Sequence, residues 1–230
     1  MAFINFNGSL FNRDHPVIRA DDHSYRYGYG LFETMKVRKG QVLLKGLHFE
    51  RLYSGLQLLQ IKTPANFTAE NLERQISELS QKNNCNHSAR VRLSVSAGNG
   101  SIFATENAMQ YIIEAFPFDE ETLFHSKGST IDIFPEAQKS PGAYSHLKTS
   151  SHLVYAMAAK FARANELDDC IVTNIYGRIC DSSVANIFWV KENKIFTPPL
   201  AEGPIAGVVR KFILNNLPVE EKEGEISELE

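Results

Sequence analysis

The chain has no apolar run approaching the ~18 residues of a membrane span, and its start, Met1-Ala2-Phe3-Ile4-Asn5-Phe6, has neither a basic lead nor a long apolar stretch. No membrane segment or export signal is expected, and the cytoplasm is the expected compartment. Cysteine is scarce: Cys85, Cys170 and Cys180 form no C-x-x-C pair, and an odd count without a disulfide-like framework suits a reducing environment. Charge of one sign is also missing. The 24 basic and 27 acidic residues leave a formal charge of −3, so there is no general field to hold a polyanion and nucleic acid is not an expected partner. The seven histidines (15, 23, 48, 87, 125, 146 and 152) make no H-x-x-x-H or His/Cys cluster, so no metal is expected. There is no G-x-S-x-G of a serine hydrolase. Gly28-Tyr29-Gly30 lacks the third glycine of a dinucleotide fingerprint and is read as a turn.

What is present is an ordinary globular composition, 43% hydrophobic and 22% charged over 230 residues, long enough to bury about 70% of its surface on folding. Leu31 to Val37 roughly alternate, and Lys39-Gly40 turns into Gln41-Val42-Leu43-Leu44, which predicts a hairpin. Glu33 falls on the apolar face of that strand, where a carboxylate needs a partner. Phe49, Leu52, Leu56 and Leu59 recur at helical spacing, as do Leu72, Ile76 and Leu79 after the N-cap candidate Thr68. Residues 89–97 alternate with Arg90 and Arg92 on the polar face, and Tyr111 to Phe116 should return as the partner strand.

The polar, acidic stretch around Pro117-Phe118-Asp119-Glu120-Glu121 is the expected domain boundary. Beyond it the pattern predicts a strand near Thr130–Phe134 and a helix over 150–164 with Leu153, Met157 and Phe161 on one face. Strands are predicted at Cys170–Thr173, Ala185–Val190 and Lys194–Thr197, and a short helix starting near Gly207.

Three segments carry a combined signal. One is Tyr27-Gly28-Tyr29-Gly30-Leu31-Phe32-Glu33-Thr34, followed by His48-Phe49-Glu50-Arg51-Leu52. Another is His146-Leu147-Lys148-Thr149 at the head of the predicted helix. The last is Gly177-Arg178-Ile179-Cys180-Asp181-Ser182-Ser183-Val184-Ala185-Asn186-Ile187-Phe188, with Thr197-Pro198-Pro199 and Gly207-Val208-Val209-Arg210 after it. This order and spacing resembles the class IV aminotransferases, the fold-type IV pyridoxal-phosphate enzymes, which include branched-chain and D-amino-acid aminotransferases and aminodeoxychorismate lyase. The resemblance runs from about Met1 to Leu214.

The resemblance implies pyridoxal 5′-phosphate as cofactor and gives roles to particular residues. Lys148 matches the lysine that forms the Schiff base and moves the substrate α-proton. Arg51 matches the arginine that grips the cofactor phosphate, where a planar guanidinium can donate two parallel hydrogen bonds. The helix starting at Gly207 matches the second phosphate anchor, with the backbone N–H groups of Val208 and Val209 as donors. The family commonly has threonine where Val209 stands, so a side-chain hydroxyl is missing there. Asp181 matches the acidic partner of the ring nitrogen, 33 residues after Lys148 (181 − 148), but the family generally has glutamate at this place. Tyr27, Phe32 and Arg92 are read as candidates for contact with the substrate.

The expected fold is therefore α/β, a two-domain fold-type IV architecture that is short at its C-terminus. Residues 1–116 form an N-terminal α/β domain, 117–122 a linker, and 123–230 a C-terminal domain carrying the Schiff-base lysine. A homodimer is implied. The expected function is ping-pong transamination of an amino acid, branched-chain-like or related, against a keto acid. The alternative is 4-amino-4-deoxychorismate lyase, which eliminates pyruvate. Asp181 and the short C-terminus keep a non-catalytic, cofactor-binding homologue open as a further alternative.

Overall fold

A computed structural model describes residues 2–103, 108–119 and 128–228. Two compact units form, one from Met1–Phe124 with Lys148–Ser151, the other from His125–Leu147 with His152–Glu230.

In the first unit, β1 (Phe3–Phe6) and β2 (Ser9–Asn12) make a hairpin. Its turn, Asn7-Gly8, has positive φ at both residues, 52° and 92°, the backbone that matches the twist of two antiparallel strands. A short helix, α1 (His23–Tyr27), is capped by the Asp22 side chain, which accepts from the Tyr25 N–H at 2.9 Å. It ends on Gly28 at φ 64°. Then come β3 (Gly30–Arg38), β4 (Gln41–Val42), α2 (Lys45–Leu58), α3 (Ala69–Lys82), β5 (Ser88–Ser96) and β6 (Gln110–Pro117). The sheet order is β2-β1-β6-β5-β3-β4, antiparallel throughout.

Register puts Leu31 opposite Val95, Glu33 opposite Leu93 and Met35 opposite Val91, with Tyr111 and Ile113 next on β6. All of these are buried. The period of two along each strand therefore gives the sheet one apolar face. Helices α2 and α3 pack on the sheet strands and bury Leu52, Leu56, Leu72, Ile76 and Leu79. Thr68 caps α3, accepting from Asn71 N–H at 3.3 Å. The linker expected over 117–122 lies outside the described residues from 120 onward.

The second unit carries two three-stranded sheets. In one, β7 (Ile131–Ile133) runs parallel to β8 (Asp169–Thr173), and β8 is antiparallel to β9 (Ile179–Ser182). The other holds β10 (Trp189–Lys191), β11 (Lys194–Thr197) and β12 (Val219–Glu221). Helix α4 (Leu153–Ala164) packs on β8, and α5 (Val208–Asn216) precedes β12. The core is Phe134, Tyr155, Ala158, Ala162, Cys170 and Val172.

Three expectations need correction. Helix α4 begins at Leu153 rather than 150, because residues 148–151 are bonded as an extended strip instead. Its buried face is Tyr155, Ala158 and Ala162, while Leu153 is 71% exposed. Met157 and Phe161 of the expected stripe pack against the same core, Phe161 edge-on to Phe134 with ring centroids 5.7 Å apart, and the exposed Leu153 at its head falls outside it. The strand predicted over 185–190 is limited to Trp189–Lys191, because Asn186 turns back to bridge Asp181.

Lys148 is also placed differently from the expectation that assigns it to the C-terminal domain. Its carbonyl accepts from the Phe32 N–H at 2.9 Å, and the Ser150 N–H donates to the Gly30 carbonyl at 2.9 Å. The strip 148–151 thus lines the edge of β3 and belongs to the first unit.

The sheet face depends on α3, so Ile76→Ala, which removes a fully buried side chain, should destabilise the chain by about 2–5 kcal/mol. Urea unfolding measures this, and a change under 1 kcal/mol would show that α3 does not hold the sheet.

Candidate active site

On the first unit, Phe32 is the centre of a cationic cluster. It is buried at the start of β3, and the Lys148 ammonium lies 4.5 Å from its ring centroid. The Arg92 guanidinium lies 3.8 Å from the same centroid. Lys148 reaches the ring because strip 148–151 pairs with β3. Arg92 reaches it because β5 is the next strand, with Thr34 opposite Arg92 and Phe32 opposite Ser94. Burial pulls the Arg92 guanidinium below its usual range, Glu114 opposes this, and Arg90 adds to it. Three residues that are distant in sequence, Phe32, Arg92 and Lys148, are thereby brought together. Tyr27, at the end of α1 and half exposed, packs its ring edge-on to His23 at 5.9 Å instead.

Glycine makes this approach possible. A Cβ on Gly30 would stand 2.2 Å from the Val95 carbonyl oxygen, and one on Gly28 2.8 Å from the Ser151 Cβ. The reading of Gly28-Tyr29-Gly30 as a turn is thus joined by a second requirement, room for strip 148–151.

Glu33 has its partners. The His48 Nδ1–H donates to Oε2 at 2.7 Å, and Arg51 donates through Nε to Oε1 at 2.7 Å and through Nη2 to Oε2 at 2.5 Å. His48 and Arg51 are three apart on α2, so one helical turn presents both to the sheet. Burial works to raise the Glu33 carboxyl, but the hydrogen bonds from His48 and Arg51 and the Arg51 charge outweigh it, leaving it below the usual carboxylate range. Arg51 is thus fixed by a bidentate grip. A contact from Arg51 to a phosphate would use the guanidinium edge that faces away from Glu33.

On the second unit, Asp181 sits on β9, 2% exposed. Its Oδ2 accepts from the Tyr155 hydroxyl at 2.5 Å and the Ile205 N–H at 2.9 Å, and the Lys139 ammonium lies 3.5 Å away. Its Oδ1 accepts, among the described residues, from the Asn186 side-chain amide alone, at 2.9 Å. Burial pushes the Asp181 carboxyl up, while Lys139, Tyr155, Ile205 and Asn186 pull it back. Burial and the neighbouring Asp181 also push the Tyr155 phenol up.

Asn186 also donates to the Ile205 carbonyl at 2.7 Å and stands against the head of α5. A Cβ on Gly207 would fall 1.8 Å from Asn186 Oδ1, so glycine is required there. Gly207 is the N-cap of α5 and brings no capping side chain. The first-turn amides, including those of Val208 and Val209, head a nine-residue helix whose dipole favours an anion. The Val209 side chain is 60% exposed and the Val208 side chain is buried.

The sequence reading gives no role to Lys139, Tyr155 or Asn186. Asn186 lies inside a quoted motif, but Lys139 and Tyr155 carry no local signal, since a lysine before a proline-containing loop and a tyrosine in an amphipathic helix are unremarkable in a sequence.

One unit presents a lysine on a sheet edge, and the other an uncapped glycine-headed helix. The family model "Amino-transferase class IV" matches residues 30–230, and the chain belongs to that family. It is 30% identical over 220 residues to the aminodeoxychorismate lyase of Bacillus subtilis, covering 93% of this chain and 73% of that protein. The branched-chain amino acid aminotransferase of Escherichia coli superposes with a TM-score of 0.86 at 21% identity, over 99% of this chain and 79% of that one. A protein of Mycobacterium tuberculosis described as a hypothetical aminotransferase, solved in a pyridoxal-phosphate-bound form, superposes with a TM-score of 0.82 at 18% identity, over 99% and 84%. Among the described residues no helix is long and apolar enough to cross a membrane.

The residues present fit the cofactor. A carboxylate oxygen has two lone pairs, so Asp181 Oδ1 retains acceptor capacity beside its bond to Asn186, as a protonated ring nitrogen requires. The head of α5, with no side chain at its N-cap, suits a phosphate.

Because folding lowers the Glu33 pKa, its ionised form stabilises the folded chain above the ordinary carboxylate value of about 4.3. That contribution is lost as pH falls through the lower folded value. Glu33→Gln should cost about 3–5 kcal/mol at pH 7, since it leaves Arg51 without its counter-charge. It should also flatten the acid limb of stability against pH. Urea unfolding from pH 3 to 8 measures both, and an unchanged acid limb would show that Glu33 is not the group responsible.

Proposed function

We propose that the chain is an aminotransferase that moves the amino group of an amino acid to a keto acid, with Lys148 as its base. The observation that carries this is the pairing of strip 148–151 with β3, which sets the Lys148 ammonium beside Phe32 and Arg92. The match of the class IV aminotransferase model to residues 30–230 supports the reaction class. Bound pyridoxal phosphate supplies an electrophilic carbon for a substrate amine and a sink for the electrons released at Cα.

The protein's own groups then divide the work. Lys148 would hold the cofactor, and its Nζ would take the substrate α-proton. Arg92 binds the substrate carboxylate, as a guanidinium can with two parallel hydrogen bonds. Phe32 supplies the apolar surface on which both cations rest, excluding water from them. Arg51, held in orientation by Glu33, and the Val208 and Val209 amides at the head of α5 are assigned to the phosphate. Asp181 would accept on Oδ1 the hydrogen bond of the protonated ring nitrogen.

A second reading is favoured by one observation, the 30% identity to the Bacillus subtilis aminodeoxychorismate lyase. A lyase shares the proton removal by Lys148 and then expels pyruvate instead of passing on the amino group. The two differ in stoichiometry. An amino donor without a keto acid should release one equivalent of keto acid per site and stop if the chain is an aminotransferase. Repeated pyruvate release from aminodeoxychorismate, with no keto acid from any donor, establishes the lyase.

Borohydride reduction of the pyridoxal-phosphate-loaded enzyme, followed by peptide mapping, should place the label on Lys148. Label on another lysine would remove Lys148 from this role.

A further inference from the structure

Lys139 is 9% exposed, yet sequence spacing and family resemblance give it no task. Its backbone is fixed at the end of β8, donating to the Thr173 carbonyl at 2.9 Å and accepting from Ile175 at 3.0 Å. The side chain therefore enters the interior from an anchored point. Its ammonium donates to the Ser145 carbonyl at 3.1 Å, to the Tyr155 hydroxyl and to the Gly203 carbonyl, and lies 3.5 Å from Asp181 Oδ2.

Each of those partners leads to a group assigned above. Ser145 lies three residues before Lys148, and Gly203 four residues before Gly207 at the head of α5. Tyr155 donates to Asp181 itself. One ammonium thus joins the loop that delivers the lysine, the loop that delivers the phosphate-facing helix, and the acidic side chain. An ammonium has three protons and no preferred plane, which suits a node with partners in several directions. The other titratable groups nearby do not compete for this role. Glu202 is already met by Arg178 at 2.6 Å and by Asn174 at 2.6 Å. The Cys180 thiol, beside Asp181, is pushed up to about 12 by burial and by that carboxylate, and stays neutral.

We propose that Lys139 is a positioning residue for the cofactor, fixing the Asp181 carboxylate so that Oδ2 is committed to the chain's own donors and Oδ1 is presented to the ring nitrogen. The proposal rests on the assignment of Asp181 to that nitrogen. Lys139 acts through Asp181 and the two loops, without touching the cofactor. Asp181 would otherwise be a carboxylate buried among neutral donors, where its charged form is disfavoured.

The test combines an apoprotein measurement with cofactor binding. Carbon-13 carboxyl signals of aspartate-labelled apoprotein are followed against pH, with the Asp181 signal assigned by its loss in Asp181→Asn. Lys139→Met should raise the Asp181 midpoint by at least one pH unit, and Lys139→Arg should restore most of it. The same Lys139→Met variant should bind pyridoxal phosphate at least tenfold more weakly, and Lys139→Arg less than threefold. An unshifted midpoint with unchanged affinity in Lys139→Met overturns the proposal. Where Lys139→Met does not fold, the wild-type Lys139 nitrogen-15 ammonium signal decides: it should move at the Asp181 midpoint, and independent titration of the two overturns the proposal. If the wild type takes up no pyridoxal phosphate, the functional reading fails while the apoprotein titrations still decide whether Lys139 governs Asp181. If the wild type binds it on Lys148 and Lys139→Met binds equally well with an unshifted midpoint, the positioning role alone fails.

Discussion

Each unit of this chain buries a carboxylate, and a buried carboxylate persists only where cations or hydrogen-bond donors come to it. In the first unit Glu33 stands at 2% exposure on the apolar face of the sheet, and one turn of α2 brings His48 and Arg51 to it. In the second unit Asp181 is equally buried and is met by Lys139, Tyr155, Asn186 and the Ile205 amide. Both arrangements fix more than the charge they neutralise. Glu33 orients an arginine, and Asp181 ties a strand to a helix head through Asn186. The two carboxyls are displaced in opposite senses, Glu33 down because its donors prevail and Asp181 up because burial does.

Much of the fold was legible because it is written in local period and capping. The alternation through β3 and β5, the helical spacing of Leu52 and Leu56 or Leu72 and Ile76, and the Thr68 cap all describe the same elements in the structure. Asn7-Gly8 is a strong hairpin signal that the sequence reading does not use. The misreadings arise where tertiary contact decides. On α4 the first apolar residue of the expected stripe, Leu153, is left exposed, while Met157 and Phe161 join Tyr155, Ala158 and Ala162 at the core. Residues 185–188 look like a strand, yet the bond from Asn186 to Asp181 turns them back.

The candidate site was legible in motif and not in geometry. Nothing in periodicity reveals that Lys148 lies along β3, more than a hundred residues away in sequence, because strand pairing is read from both partners at once. The need of Glu33 for a partner could be stated from its place on an apolar face, whereas the identity of that partner required the helix phase of α2. Lys139 is the opposite case. A lysine is expected at the surface, and only the meeting of two loops and the Asp181 carboxylate shows why this one is inside.

The strip that carries Lys148 has a bearing on how the chain is made. Opposite β5, the edge of β3 at Gly30–Phe32 is covered by residues 148–150. While the chain is being made, the last strand of the first sheet, β6, precedes those residues by about thirty positions. During that interval the edge presents backbone donors and acceptors beside Phe32, the kind of surface on which a second chain can add a strand. The strip that presents Lys148 thus also closes a strand edge that would otherwise be open to pairing.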